Sequence, residues 1–184
     1  GRTQELLYYL REIKVRGLVK SNPNFTVYVD SPLALEATQI YDGDLTGYAD
    51  EETLELLKNG FKPINFPGLK LSRTSQESIA LNTDPTPKVI IASSGMCEAG
   101  RIRHHLKHNL WRGDCIVLFV GYQAEGSLGR KLQNGAKSVR LFGSTYTGNR
   151  SWPWIRPRCL ISRMAYSISW VLPTAKEGIT RLPP

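Results

Sequence analysis

The chain has 184 residues, of which 41% are hydrophobic and 22% charged, the length and balance of one ordinary soluble domain. That excludes a disordered tail, a collagen-like repeat and a disulfide miniprotein, and no run approaches the roughly 18 apolar residues a membrane span needs. The formal charge is +8, a balance that invites a nucleic-acid reading.

Gly1 to Gly17 is predicted as a helix, with Leu6, Leu7, Leu10 and Ile13 on one stripe and Gly17 as its stop. Phe25 to Val29 is a β-branched and aromatic run of strand length, ended by Asp30-Ser31-Pro32. Leu33 to Tyr41 and Asp50 to Lys58 read as helices, the first with Pro32 near its opening turn and the second capped by Asp50. Phe61 to Leu71 is punctuated by Pro and Gly and leaves room for a short strand around Lys70. Ser75 to Leu81 follows as a short helix, and Lys88 to Ala92 as a strand that runs straight into Ser93-Ser94-Gly95-Met96. Glu98 to Trp111 is a helix ended by Gly113, Asp114 to Val120 a strand followed by Gly121. Leu128 to Gln133 is a helix closed by Asn134-Gly135, and Ser138 to Phe142 a further strand.

Strands separated by helices imply βαβ units, and the unalternating runs Val89–Ala92 and Ile116–Val120 suit strands covered on both faces. The predicted fold is therefore α/β: a Rossmann-like, doubly wound, mostly parallel sheet flanked by helices, with an irregular C-terminal tail. Ligand-facing loops in such sheets leave the carboxyl ends of strands. Here they are Asp30-Ser31-Pro32, Ser93-Ser94-Gly95-Met96 and Gly121-Tyr122-Gln123.

Each local motif has a plain structural explanation beside the chemical one. Ala92 to Arg101 places small residues between a buried strand and a helix, where backbone N–H groups can hold an anion; it is equally a tight turn that needs glycine. Gly121 to Gly126 has the glycine spacing of a phosphate loop, but the lysine that should follow is Ser127. His104 and His108 are spaced i,i+4, yet neither the zincin glutamate nor a third ligand accompanies them, so packing or capping roles are favoured over metal. Cys97 lies close to a helix start, where a thiolate is favoured, and a small packing residue explains it as well. Three cysteines suit neither a disulfide framework nor a zinc ribbon, and a cytoplasmic setting is expected.

Taken together and in order, several segments resemble the β-CASP domain of metallo-β-lactamase-fold ribonucleases. This family includes the mRNA 3′-end processing endonuclease and its bacterial and archaeal relatives. The segments are Gly1-Arg-Thr-Gln-Glu-Leu-Leu7, Val27-Tyr-Val-Asp-Ser-Pro-Leu-Ala34, Gln76-Glu-Ser78 with Leu81-Asn82, and Val89-Ile-Ile-Ala-Ser-Ser-Gly-Met-Cys-Glu-Ala-Gly-Arg101. They continue with His104-His-Leu-Lys-His-Asn-Leu110 and Phe119-Val-Gly-Tyr-Gln-Ala-Glu-Gly-Ser-Leu-Gly-Arg130. The likeness covers residues 1–143 and is greatest to the bacterial branch.

The resemblance implies a cap inserted into a metallo-β-lactamase domain, with RNA cut in the cleft between them. Two zinc ions, held in the other domain by an H-x-H-x-D-H motif and further His and Asp residues, would activate water there. This sequence carries none of those ligands, so no catalytic or metal residue is assigned, and the chain alone is expected to be inactive. The expected partners are RNA, through the intact parent, and the missing metallo-β-lactamase domain; a membrane is not among them. Ser31, Ser94, Gly95, Met96, Tyr122 and Gln123 would form the cap's side of the cleft. Arg101 and Arg130 would meet phosphate oxygens, which guanidinium groups can bind bidentately. The alternative is a non-catalytic Rossmann-like module that binds a nucleotide or RNA through its Gly-rich loops.

The likeness stops after Gly143. Residues 144–184 hold 6 basic and 1 acidic side chains against 18 and 15 before them, with three of the four Trp and five of the eleven Pro. The family's G-F-S-x-H-x-D motif is absent there. Residues read out of frame, or joined from elsewhere, would account for both changes; the competing explanation is a divergent extension. The chain, starting at Gly1, is expected to be a piece of something longer.

Overall fold

A computed structural model describes residues 2–41, 47, 51–60, 62, 64–147 and 169–173. Helix α1 (Arg2–Val15) leads through a turn to strand β1 (Thr26–Asp30), followed by helices α2 (Pro32–Tyr41) and α3 (Glu51–Lys58). Strand β2 (Leu69–Leu71), helix α4 (Ser75–Thr83) and strand β3 (Lys88–Ala92) come next, then α5 (Ile102–Asn109), β4 (Cys115–Phe119) and α6 (Leu128–Gln133). Strands β5 (Ser138–Leu141), β6 (Ser144–Thr147) and β7 (Ser169–Pro173) complete the order.

The main sheet runs β2-β1-β3-β7-β4. Strands β1, β2 and β3 are parallel, with Val27 opposite Leu69 on one side and Val89 on the other. β7 lies antiparallel between β3 and β4, so β4 points the same way as β3. The carboxyl ends of β1, β3 and β4 therefore meet at one edge. Two parts of the region expected to be irregular are thus strands: β7 supplies backbone partners to both neighbours, and β6 pairs with β5. The remainder of that tail, residues 148–168 and 174–184, lies outside the described residues.

Both faces of the sheet are covered, as the unalternating strands predict. Every residue of β3 is buried. Val89 and Ile91 pack with Val27, Val29, Phe25 and the α1 residues Leu7 and Leu10. Ile90 and Ala92 face the other way, toward Ile102, Leu106 and Leu110 along α5 and toward Leu128 and Leu132 of α6. Removing a wholly buried leucine such as Leu106 from this layer costs about 2–5 kcal/mol.

Two elements depart from their predicted form. The helix expected from Glu98 begins only at Ile102, because the residues before it close on themselves as a loop. The strand at Ser138 pairs with β6 alone, in a separate hairpin. Its two-residue turn, Phe142 and Gly143, has φ of 50° and 82°, the doubly positive geometry that matches the twist of a tight hairpin.

Candidate functional site

Asp30 ends β1 and is wholly buried. A lone carboxylate there would be very costly, and three side chains compensate it. Its Oδ1 accepts from Arg101 Nη1 at 2.6 Å, and its Oδ2 from Ser78 Oγ and His105 Nε2, each at 2.6 Å. Burial pushes the Asp30 pKa upward, but the hydrogen bonds from His105 and Ser78 overcome it and hold the group down at about 2.

Those partners come from three separate segments. Ser78 sits on α4, His105 on α5 and Arg101 in the connection after β3. The Arg101 guanidinium also donates to the Ser72 and Arg73 carbonyls at 3.0 and 2.9 Å. His105, itself wholly buried, has Nδ1 2.8 Å from Asn82 Oδ1, which also accepts from Asn109 Nδ2 at 3.1 Å. The network thus pins α4, α5 and the post-β3 connection to the end of β1.

The connection from Ser93 to Arg101 is closed by its own amides. Ser94 N donates to Ala99 O and Cys97 N to Ser94 O, both at 3.0 Å, and Ile102 N donates to Ser93 O at 3.1 Å. Ser94 Oγ accepts from Ala99 N at 3.1 Å, and Ser31 Oγ lies 3.0 Å from Ser93 Oγ. Gly100 has φ of +76°, and a Cβ there would stand 2.4 Å from Ser93 O. Cys97 is fully buried in the α5-side core. It serves packing.

The third loop is stapled to the second. Gln123, 1% exposed, donates from Nε2 to the carbonyls of Gly95 (3.1 Å), Tyr122 (3.1 Å) and Gly121 (3.3 Å). Gly129 N donates to Met96 O at 2.9 Å, and the Glu98 carboxylate accepts from Leu128 N. Ser127 caps α6 by accepting from Arg130 N at 3.2 Å. The glycine spacing of residues 121–126 thus belongs to a loop that docks onto its neighbour.

What remains on the outside is small and chemically distinct. Met96 and Tyr122 are exposed. The Arg130 guanidinium lies 5.6 Å from the Tyr122 ring centroid, with Nε 3.2 Å from Glu125 Oε1. An aromatic face with a cation beside it can stack a base and meet a phosphate.

The predicted site residues therefore separate into two sets. Ser31, Arg101 and Gln123 point inward and hold the loops together. Ser94 and Gly95 are half-buried, and Met96, Tyr122 and Arg130 reach the surface. Arg101, expected to meet phosphate, has its guanidinium engaged by Asp30 and two carbonyls. The sequence reading gives no site role to Asp30, Ser78 or Asn82, nor to His105 beside His104 and His108. His105 points into the core, while the other two are exposed. The usable signal was an acid at a strand's carboxyl end with Asn109 four residues after His105. Among the described residues no group of three or more His, Cys, Asp or Glu could hold a metal ion, and no helix is long and apolar enough to cross a membrane.

A family model described as "Beta-Casp domain" matches residues 3–132. A ribonuclease of Thermus thermophilus, TTHA0252, is 37% identical over 142 residues, covering 77% of this chain and 32% of the relative. The transcription termination factor FttA of Methanocaldococcus jannaschii is 35% identical over 146 residues, covering 77% of this chain and 22% of the relative. An RNase J-like protein of the same archaeon is 30% identical over 142 residues, covering 77% and 31%. The chain spans about a third or less of the length of these relatives.

Proposed function

Since the chain belongs to the Beta-Casp domain family, we propose that it is the cap of a zinc-dependent, RNA-processing ribonuclease, with its strand-end loops forming one wall of the RNA cleft. The observation that carries this reading is the convergence of the loops after β1, β3 and β4 on one edge, where Tyr122 and Met96 are exposed and Arg130 lies beside the Tyr122 ring. RNA would stack a base on Tyr122 and place a phosphate near Arg130. Asp30, Arg101, His105 and Gln123 act as positioning residues that fix the loops carrying those contacts.

No reaction step is assigned to this chain's residues. The described side chains offer no metal seat, so the two zinc ions and the metallo-β-lactamase domain that would hold them are further parts of the proposed enzyme. Phosphodiester hydrolysis belongs to that assembly, and this chain by itself is proposed to be inactive. Buried thiols at Cys97 and Cys115 suit a reducing cytoplasm. The rival reading, a self-sufficient nucleotide-binding module, is disfavoured because the post-β3 loop turns its amides onto its own carbonyls.

The test is titration of the full chain with labelled single-stranded RNA, followed by incubation with zinc. Salt-dependent binding that weakens on Tyr122→Ala and Arg130→Gln, without cleavage, is the expected result. Binding indifferent to both substitutions overturns the assignment of this edge. Specific cleavage that survives His104→Ala/His108→Ala overturns the inactivity of the isolated chain.

A further inference from the structure

The outer face of α5 and the tip of the β5–β6 hairpin meet at Phe142 and form a second surface. Phe142, in the hairpin turn, is 46% exposed. The Arg103 guanidinium lies 4.7 Å from its ring centroid, the His104 ring 4.6 Å and Lys107 Nζ 6.0 Å. Arg140 reaches the same turn, where its Nε donates to Gly143 O at 3.4 Å.

Among the described residues, Arg103, Lys107 and Arg140 pair with no carboxylate. Glu98, five residues before Arg103, offers Arg103 only its backbone carbonyl and turns its carboxylate to Leu128 N. Arg103 Nε is buried with no acceptor among the described residues. Burial, and after it the neighbouring Lys107, His104 and His105, lowers the pKa of His108 on the same helix.

We propose that this face is a docking platform for single-stranded RNA, which lays an unpaired base on Phe142 and its flanking phosphates on Arg103, Lys107 and Arg140. The proposal rests on the RNA reading above and extends it to a second contact. Cations without carboxylate partners favour a polyanion. An aromatic ring among them favours one whose bases can unstack onto it, which a duplex cannot offer. The hairpin turn fixes the Phe142 backbone and presents the ring ready to receive a base.

Anisotropy titration of the full chain with a single-stranded oligouridylate of about 12 nucleotides tests this. Phe142→Ala should weaken binding about fivefold or more, and Phe142→Tyr, which keeps the ring, should restore it. Lys107→Gln should lower the slope of log affinity against log salt by about 0.7. An RNA duplex should be insensitive to Phe142→Ala. Unchanged affinity in Phe142→Ala overturns the platform. If Tyr122→Ala still weakens binding in that case, the strand-end reading stands alone; if the unaltered chain binds no RNA, both fall. Should Phe142→Ala change sedimentation of the chain and leave RNA affinity unmoved, the face contacts protein and the proposal is wrong.

Discussion

The inner and outer layers of the loop edge use the same residue types for opposite ends. Inside, Asp30, Arg101, Ser78 and His105 form a charged and polar cluster in which the carboxylate has three partners and no solvent. Outside, Tyr122 is exposed, and the half-buried Arg130 beside it pairs with an exposed Glu125. An arginine after a Gly-rich loop is thus no guide to phosphate contact until its carboxylate neighbours are known. Burial makes the inner layer a matter of stability; exposure leaves the outer layer available for binding. Substitutions in the two layers should divide in the same way.

The largest difference is expected at Asp30. Asp30→Ala leaves Arg101 and His105 without their shared acceptor, and breaking a buried ionic pair from one side costs about 3–5 kcal/mol. Urea unfolding of the full chain should show that loss as a lower midpoint. Next comes Gly129→Ala, whose Cβ would fall 1.7 Å from Gln123 Oε1 and 3.1 Å from Met96 O. One loop must then move off the other, at about 1–3 kcal/mol, and RNA affinity should fall with it if the joined loops form the binding wall. A stable Gly129→Ala chain with full RNA affinity would separate the loop junction from the binding surface.

Acid sharpens the comparison further. The folded Asp30 pKa of about 2 lies below an unfolded value near 3.9. Its stabilisation is therefore complete above the unfolded value and is lost as pH falls through the folded one, amounting to about 2–3 kcal/mol. Asp30→Asn should be less stable at neutral pH and should decline more gently between about pH 5 and pH 2. Asp84 is held equally low, by hydrogen bonds from Thr86 and Lys88, but its side chain is 38% exposed. Solvent screens such a group, so Asp84→Asn should leave the acid limb close to that of the unaltered chain. A mutant order with Asp84 dominant would show that surface bonds, and not the buried cluster, set acid stability.

The parts readable in the sequence were those governed by local pattern. The unbroken apolar runs of β3 and β4 announced a sheet covered on both faces, and the glycines and prolines marked the loops at strand ends. Residues 30–32, 93–96 and 121–123 fall together in the sequence reading because strand direction alone brings them to one edge. Which way each side chain turned was not legible. Asp30 meets Arg101 across 71 positions and His105 across 75, and no periodicity records such pairings. His105 differs from His104 only by one step around α5, which decides between core and solvent. β7 was missed for a related reason: its place between β3 and β4 depends on partners far away in the chain.

The smallest expected effect on stability falls at the outer layer, where it is also the most informative. Tyr122 is 54% exposed, with the Arg130 guanidinium 5.6 Å from its ring centroid, so Tyr122→Ala should shift the unfolding free energy by less than about 0.5 kcal/mol. If the edge binds RNA, the same substitution removes a stacking face worth about 1–3 kcal/mol per base, seen as roughly a fivefold or greater loss of affinity. Tyr122→Phe keeps the face and should keep the affinity, which distinguishes stacking from a hydrogen bond through the phenol. The reverse pattern, a destabilised chain that still binds, would mean that Tyr122 belongs to the loop scaffold and that the two layers are one.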